Sequence, residues 1–204
     1  SFPSGGKPRF KSELRLNSLT VGRDGRNRYM ASPFGAKTSR NTPSNSKSIF
    51  GPAKWIRSLI KPEEGRAVAY VDWSQQELGI AAALSGDENM MDAYRSGDPY
   101  LTFAQMAGAV PEGATKQSHP NEREVYKVAS LAVLMGMQAF SLGLRTGSGE
   151  SGGRRLLRQH KEVFPGYWKW SDDGVNFSAL GGTLRTVYGW EISPHDPNSR
   201  STTY

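Results

Sequence analysis

Apolar and polar positions alternate unevenly along this chain. Residues 1–48 carry few apolar side chains and many turn formers, among them Gly5-Gly6, Pro33, Gly35 and Pro43-Ser44-Asn45, so they read as loops and short strands. Within them Asn17 to Val21 predicts a strand and Gly22-Arg23-Asp24-Gly25 a turn. Lys54 to Ile60 is a short mixed segment closed by Pro62 and Gly65. The apolar run Ala67-Val68-Ala69-Tyr70-Val71 then predicts a buried strand that delivers Asp72 at its end. A helix follows from about Ser74 to Leu84, with Ser74-x-x-Glu77 matching a capping box. Gly86-Asp87 punctuates, and Asp87 is positioned to cap a helix from Glu88 to Arg95. Tyr100 to Gly108 reads as a further helix and 109–121 as a polar loop. Glu122 to Met137 has the strongest helical pattern, and Arg154 to Phe164 another, stopped by Pro165-Gly166. Tyr167 to Ala179 continues helically, and Thr183 to Ile192 reads as a hairpin around Tyr188-Gly189. Helices dominate the second half and no internal repeat is visible, so the predicted class is α+β.

Composition narrows the picture. The 204 residues suit one ordinary domain or two small ones, and at 36% apolar content much of the surface must be polar. No segment has the apolar length of a membrane span and no signal peptide opens the chain, so no membrane partner is expected. Without Cys there are no disulfides or thiolate sites, and His119, His160 and His195 are too dispersed for a zinc cluster. The net charge of +7 is concentrated at one end: residues 1–66 hold 14 Lys/Arg against 4 Asp/Glu, whereas 67–204 hold 12 against 15. A basic region rich in Ser, Asn and Gly suits phosphate contacts, which counterion release makes salt-sensitive. A solvated basic arm has the same composition.

Two places carry candidate chemistry. A carboxylate such as Asp72, at the end of a buried strand beside a turn, can hold a divalent cation within reach of a substrate; on pattern alone, a cap or loop residue is the simpler reading. Arg123, Lys127, Leu131 and Met135 recur every four residues, with Arg123 and Leu131 about 12 Å apart along one side of a helix. Cations near the helix start, where the dipole also favours anions, and apolar groups beyond them match a nucleoside triphosphate. An amphipathic helix with a basic first turn gives the same pattern and, alone, explains it more simply. Gly147 to Gly152 fits GxGxxG, but no strand precedes it, so it reads as a flexible loop between helices. His195-Asp196 lies between Pro194 and Pro197 in a polar tail and reads as a turn.

Taken together, the ordered motifs resemble family A DNA polymerases, the class of bacterial DNA polymerase I and related phage enzymes. Asp72-Trp73-Ser74-Gln75-Gln76-Glu77-Leu78 resembles motif A, and Ser85-Gly86-Asp87-Glu88 and Gly97-Asp98 follow at the family's distances. Arg123-x3-Lys127, with Met135-Gly136-Met137 eight residues beyond the lysine, resembles motif B. Lys37-Thr38-Ser39-Arg40-Asn41 resembles the segment that contacts the primer–template duplex, and Phe164-Pro165-Gly166 and Thr183 to Trp190 resemble segments after the fingers helix.

The resemblance implies a helical fingers subdomain inserted in part of the palm sheet of a right-hand polymerase. A basic duplex-contacting segment would span 1–48, the motif A strand and following helices 49–100, the fingers 101–180, and the start of the return to the palm 181–204. It implies template-directed DNA synthesis by a two-metal mechanism in the cytoplasm of a bacterium or phage-infected cell. The partners would be primer–template DNA, a dNTP and two Mg2+ ions. Asp72 and the Trp73 carbonyl would be metal ligands, and Lys127 a proton donor to pyrophosphate. Gln75, Gln76, Glu77, Tyr100, Arg123, Lys127 and Leu131 would meet the nucleotide, with Glu77 crowding the sugar 2′ position. Lys37, Thr38, Arg40, Asn41, Asn45, Lys47 and Met135 would meet DNA.

Gly79, Tyr100, Leu131 and Met135 depart from the family's usual Arg, His, Phe or Tyr, and Tyr. Motif C, whose Asp completes the metal site, is absent before Tyr204. The expectation is therefore a fingers and partial-palm fragment, inactive without the remainder of the polymerase chain carrying motif C. The rival reading is a noncatalytic nucleic-acid-binding module derived from such an enzyme.

Overall fold

A computed structural model describes residues 21–36, 40–43, 48, 57, 58 and 60–192. Most of the predicted strand from Asn17, most of the segment Lys54 to Ile60, and His195-Asp196 lie outside the described residues. The chain divides into two compact units, Ser1–Asp72 and Trp73–Tyr204.

In the first unit, β1 (Ala31–Ser32) pairs antiparallel with β2 (Thr42–Pro43), Ala31 opposite Pro43. The turn expected at Gly22 to Gly25 is formed: the Gly25 N–H donates to the Gly22 carbonyl at 3.0 Å, and Gly25 takes φ 74°. Asp24 and Arg28 close it with an ion pair at 2.5 Å, which holds the carboxyl well below the usual carboxylate range. The predicted buried strand over 67–71 is not found. Those residues are exposed, Val71 by 82%, and among the described residues no strand pairs with them. An apolar run becomes a buried strand only when a neighbour supplies both a hydrogen-bond ladder and a covering face.

The second unit is built of helices. α1 (Gln76–Ser85) starts two residues later than predicted, because Gln75 takes φ 45° and forms its cap position. The Ser74 capping bond is not made: its hydroxyl donates to Gln75 Oε1 at 2.7 Å, and the Gln75 side chain does not cap the helix. α2 (Glu88–Arg95) is capped by Asp87 as expected, Oδ1 accepting from the Met90 N–H at 2.8 Å. The buried Asp87 does more than its sequence position suggests. Its Oδ2 accepts the Tyr167 N–H at 3.0 Å, so one carboxylate serves two helix starts.

α3 (Pro99–Met106) is capped by Asp98, and α4 (Pro120–Leu134) opens with proline at its first position, where the missing N–H costs nothing. α5 (Ala139–Thr146) and α6 (Gly149–Val163) form a tight pair. A Cβ at Gly143 would overlap the Gly149 carbonyl, and one at Gly153 would overlap the Ala139 carbonyl. The presumed flexible glycine loop is thus largely the first turn of α6, with Gly152 and Gly153 buried. Low helix propensity is outweighed here by the close backbone approach that glycine permits. α7 (Pro165–Ala179) follows, and β3 (Leu184–Arg185) pairs with β4 (Glu191–Ile192) in the expected hairpin.

Leu78, Met90, Phe103, Leu142 and Phe164 are fully buried and join the helices into one core. Phe103 lies at its centre, with ring centroids 4.8 Å from Tyr126, 5.2 Å from His160 and 5.0 Å from Phe164. Each such side chain contributes about 1.5–3 kcal/mol by leaving water. His160 is buried among these rings and accepts the Trp168 indole N–H through Nδ1 at 2.9 Å, which assigns its own proton to Nε2. Burial pushes its pKa down to about 4. Among the described residues no helix is long and apolar enough to cross a membrane.

Candidate nucleotide site

Three helices of the second unit converge on one cleft. α1 contributes Glu77, α4 contributes Val128, Leu131, Ala132 and Met135, and α5 contributes Arg145. The cleft is mainly apolar, with an acid from α1 and a base from α5 in its wall. Leu131 is half-buried and Met135 is 67% exposed.

The cations lie nearer the start of α4. Arg123 Nε donates to Asp98 Oδ2 at 2.5 Å, and its guanidinium carbon stands 5.6 Å from the centre of the Tyr100 ring. Asp98 Oδ1 meanwhile accepts the Leu101 N–H at 3.3 Å, so capping α3 also fixes the carboxylate for Arg123. Tyr100 is buried, and burial followed by the charge of Glu77 raises its pKa while Arg123 opposes the rise. Glu77, Tyr100 and Arg123 therefore share one electrostatic neighbourhood. Lys127 Nζ pairs with Glu124 at 3.1 Å in a partly exposed contact, of a kind worth at most about 1 kcal/mol.

Other predicted residues sit apart from the cleft walls. Gln75 is half-buried and bonded to Ser74, Gln76 is exposed, and Trp73 is 76% exposed. In the first unit Asp72 is exposed. Asn41 Oδ1 accepts the Phe34 N–H at 3.4 Å and the Arg40 carbonyl accepts the Ala36 N–H at 3.1 Å. Lys37, Thr38, Asn45 and Lys47 lie outside the described residues. The glycine at position 79 has a local reason, since a Cβ there would stand 2.8 Å from the Tyr94 ring. Sequence reasoning missed Asp98 as a partner of Arg123, although Asp98-Pro99 is a helix-start signal, and missed Arg145 because α5 itself was not foreseen.

The sequence model of DNA polymerase family A matches residues 44–203. This chain belongs to DNA polymerase family A. It is 30% identical over 181 residues to DNA polymerase I of Chloroflexus aurantiacus, covering 85% of this chain and 19% of that protein. It is 27% identical over 175 residues to the DNA polymerase of Mycobacterium phage D29, covering 84% of this chain and 28% of that one. The fold matches the POL domain of Pol1 from M. smegmatis, solved in complex with DNA primer–template and dNTP. The TM-score is 0.73 at 25% identity, over 92% of this chain and 33% of that one. The α+β class stands with this match, and the chain spans about a fifth to a third of the length of these relatives.

Polymerases of this family are metal-dependent. Among the described residues, no group of three His, Asp or Glu side chains is placed to hold an ion. Asp72 is an exposed carboxylate, a donor of the type that suits Mg2+.

Proposed function

We propose that this chain is the nucleotide-selecting part of a DNA polymerase, and that the cleft between α1, α4 and α5 takes an incoming deoxynucleoside triphosphate. The observation that carries this reading is the lining itself: Glu77 shares one cleft with Leu131 and Met135, and Arg123 and Lys127 precede those two on the same helix. Charge lies at one end and apolar surface at the other, as a triphosphate and a base require. Arg123 and Lys127 bind the phosphates, aided by the positive end of the α4 dipole. Leu131 lies against the base, Met135 borders the templating nucleotide, and Glu77 crowds the sugar edge. Tyr100 supports Arg123 from below, and Gln75 and Gln76 complete the α1 side.

The basic region containing Lys37, Thr38, Arg40, Asn41, Asn45 and Lys47 holds the primer–template duplex. Asp72 and the Trp73 carbonyl serve the Mg2+ ions, which supply nucleophile activation and charge neutralisation when bound. A second carboxylate comes from polymerase sequence outside these 204 residues; the long unmatched portions of the relatives support that assignment.

Calorimetric titration of the chain with dNTP in the presence of primer–template tests the reading. Lys127→Ala and Arg123→Gln should each weaken nucleotide binding at least tenfold, as loss of a charge-assisted contact requires. Lys169→Gln, which removes a surface ion pair with Asp173 on α7, should not. Wild-type affinity in both α4 variants would refute the nucleotide site.

A further inference from the structure

Arg145 is the cation in the lining of this cleft. Arg123 is paired with Asp98 and Lys127 with Glu124, while on α6 Arg154 is paired with Glu150 and Arg158 with Glu162. Arg145 lines the cleft, is exposed, and has no hydrogen-bond or ion-pair partner among the described residues. A place in the last turn of α5 suits a cation through the helix dipole, but that alone does not aim it at a cleft.

Its base is rigid. Thr146 Oγ1 donates to the Leu142 carbonyl at 2.9 Å, and Gly147 ends the helix at φ 70°. The Ser148 N–H returns to the Gly143 carbonyl at 3.0 Å, and Gly143 and Gly153 let α5 and α6 meet backbone to backbone. The backbone that carries Arg145 is thus fixed, and its exposed guanidinium, unpaired among the described residues, is free to meet a ligand at the cleft.

The position along α4 indicates which ligand. Arg123 and Met135 are about 18 Å apart at the helical rise, and Arg145 lines the cleft with Leu131 and Met135, away from the triphosphate cations. An incoming nucleotide carries its charge at the phosphate end, so at the base end the available anion is the backbone of the opposing strand. A guanidinium fork matches a phosphodiester bidentately.

We propose that Arg145 holds a phosphodiester flanking the templating nucleotide and is a positioning residue for the template strand. The inference rests on the proposed nucleotide site and adds a residue to it that the motifs do not contain. Fluorescence anisotropy over a salt series, with a primer–template bearing a 5′ overhang and a blunt duplex, separates the two claims.

Arg145→Gln should weaken overhang binding about tenfold at low salt, as expected for one charge-assisted contact. It should also flatten the slope of log K against log salt by about 0.7–0.9, the value for one phosphate. Blunt-duplex binding should be unchanged. Arg145→Lys should keep the slope while losing part of the affinity, and Arg158→Gln on α6 should leave both intact. The loss should be the same whatever the templating base.

Wild-type chain with no preference for the overhang would take down the nucleotide-site reading and this inference together. Overhang-dependent wild-type binding with an unchanged Arg145→Gln variant would overturn the inference alone. A loss confined to one template base would overturn the phosphate assignment.

Discussion

Acidification should destabilise this protein through one side chain, His160. The imidazole is buried against Phe103, Phe164, Tyr167 and Trp168, and burial lowers its pKa from 6.5 to about 4; the charge of Asp87 opposes the shift without cancelling it. The group is a base whose folded pKa is depressed, so the unfolded chain takes up the proton first. Its contribution is complete above about pH 6.5 and is lost as pH falls towards 4. At about 1.4 kcal/mol per pH unit, the full loss is about 3 kcal/mol, of which about 2 kcal/mol is gone by pH 5. Against the 5–15 kcal/mol that typically holds a domain together, that is a large fraction.

Urea unfolding followed by tryptophan fluorescence at pH 7.5, 6 and 5 measures it, with His160→Asn as the reference. Asn keeps an acceptor for the Trp168 indole N–H but cannot titrate. The variant should be less stable at pH 7.5 because it leaves a cavity. Between pH 7.5 and 5 it should lose about 2 kcal/mol less than the wild type. Parallel pH profiles for the two proteins would refute the argument, because the acid sensitivity would then belong to other groups.

Gly153→Ala should destabilise the chain by about 3 kcal/mol, the upper end for overpacking, since the added Cβ meets the backbone carbonyl of Ala139; an unchanged melting temperature would show that α5 and α6 are not so closely apposed. Asp87→Ala should cost about 2 kcal/mol, roughly one helix cap at each of two starts, measurable by urea unfolding. Glu77→Ala, in a polymerase carrying this chain, should raise ribonucleotide incorporation relative to deoxyribonucleotide. Unaltered sugar discrimination in primer extension would remove Glu77 from the sugar edge.

The helices of the second unit were legible wherever local chemistry and burial pointed the same way. Asp87 caps α2 as its position predicts, and the Pro165-Gly166 break between α6 and α7 falls where the periodicity stops. Reading failed where a local signal had a stronger competitor. Ser74 and Glu77 have the spacing of a capping box, but the left-handed Gln75 moves the helix start past it. The glycines from Gly147 onward look like a linker, yet Gly152 is buried against the Ser148 side chain and Gly153 against the backbone of α5. The run ending at Val71 has strand composition without a pairing partner among the described residues, and pairing is not a local property. In the site, motif spacing put Arg123 and Lys127 on one helix. The meeting of Glu77 with Leu131 and Met135 came only from how α1 packs on α4.

Arg123 shows why such a site needs more than its cations. A half-buried guanidinium left alone would incur a desolvation cost, and Asp98 offsets it by accepting from Nε. That contact uses one of five N–H donors, and among the described residues the terminal nitrogens have no hydrogen-bond partner. On the proposed reading, Asp98 therefore does not compete with a triphosphate. It fixes the plane of the guanidinium, with Tyr100 beneath, so that the remaining donors face the ligand without a further loss of side-chain entropy. Asp98→Asn separates the two possibilities, because Asn retains a side-chain oxygen for capping α3 but loses the charge that holds Arg123. If Asp98 orients Arg123, nucleotide affinity of the chain should fall in calorimetric titration, with thermal stability little changed. If Asp98 instead sequesters Arg123 from phosphate, affinity should rise, and the account of Arg123 as a preset phosphate ligand would be wrong.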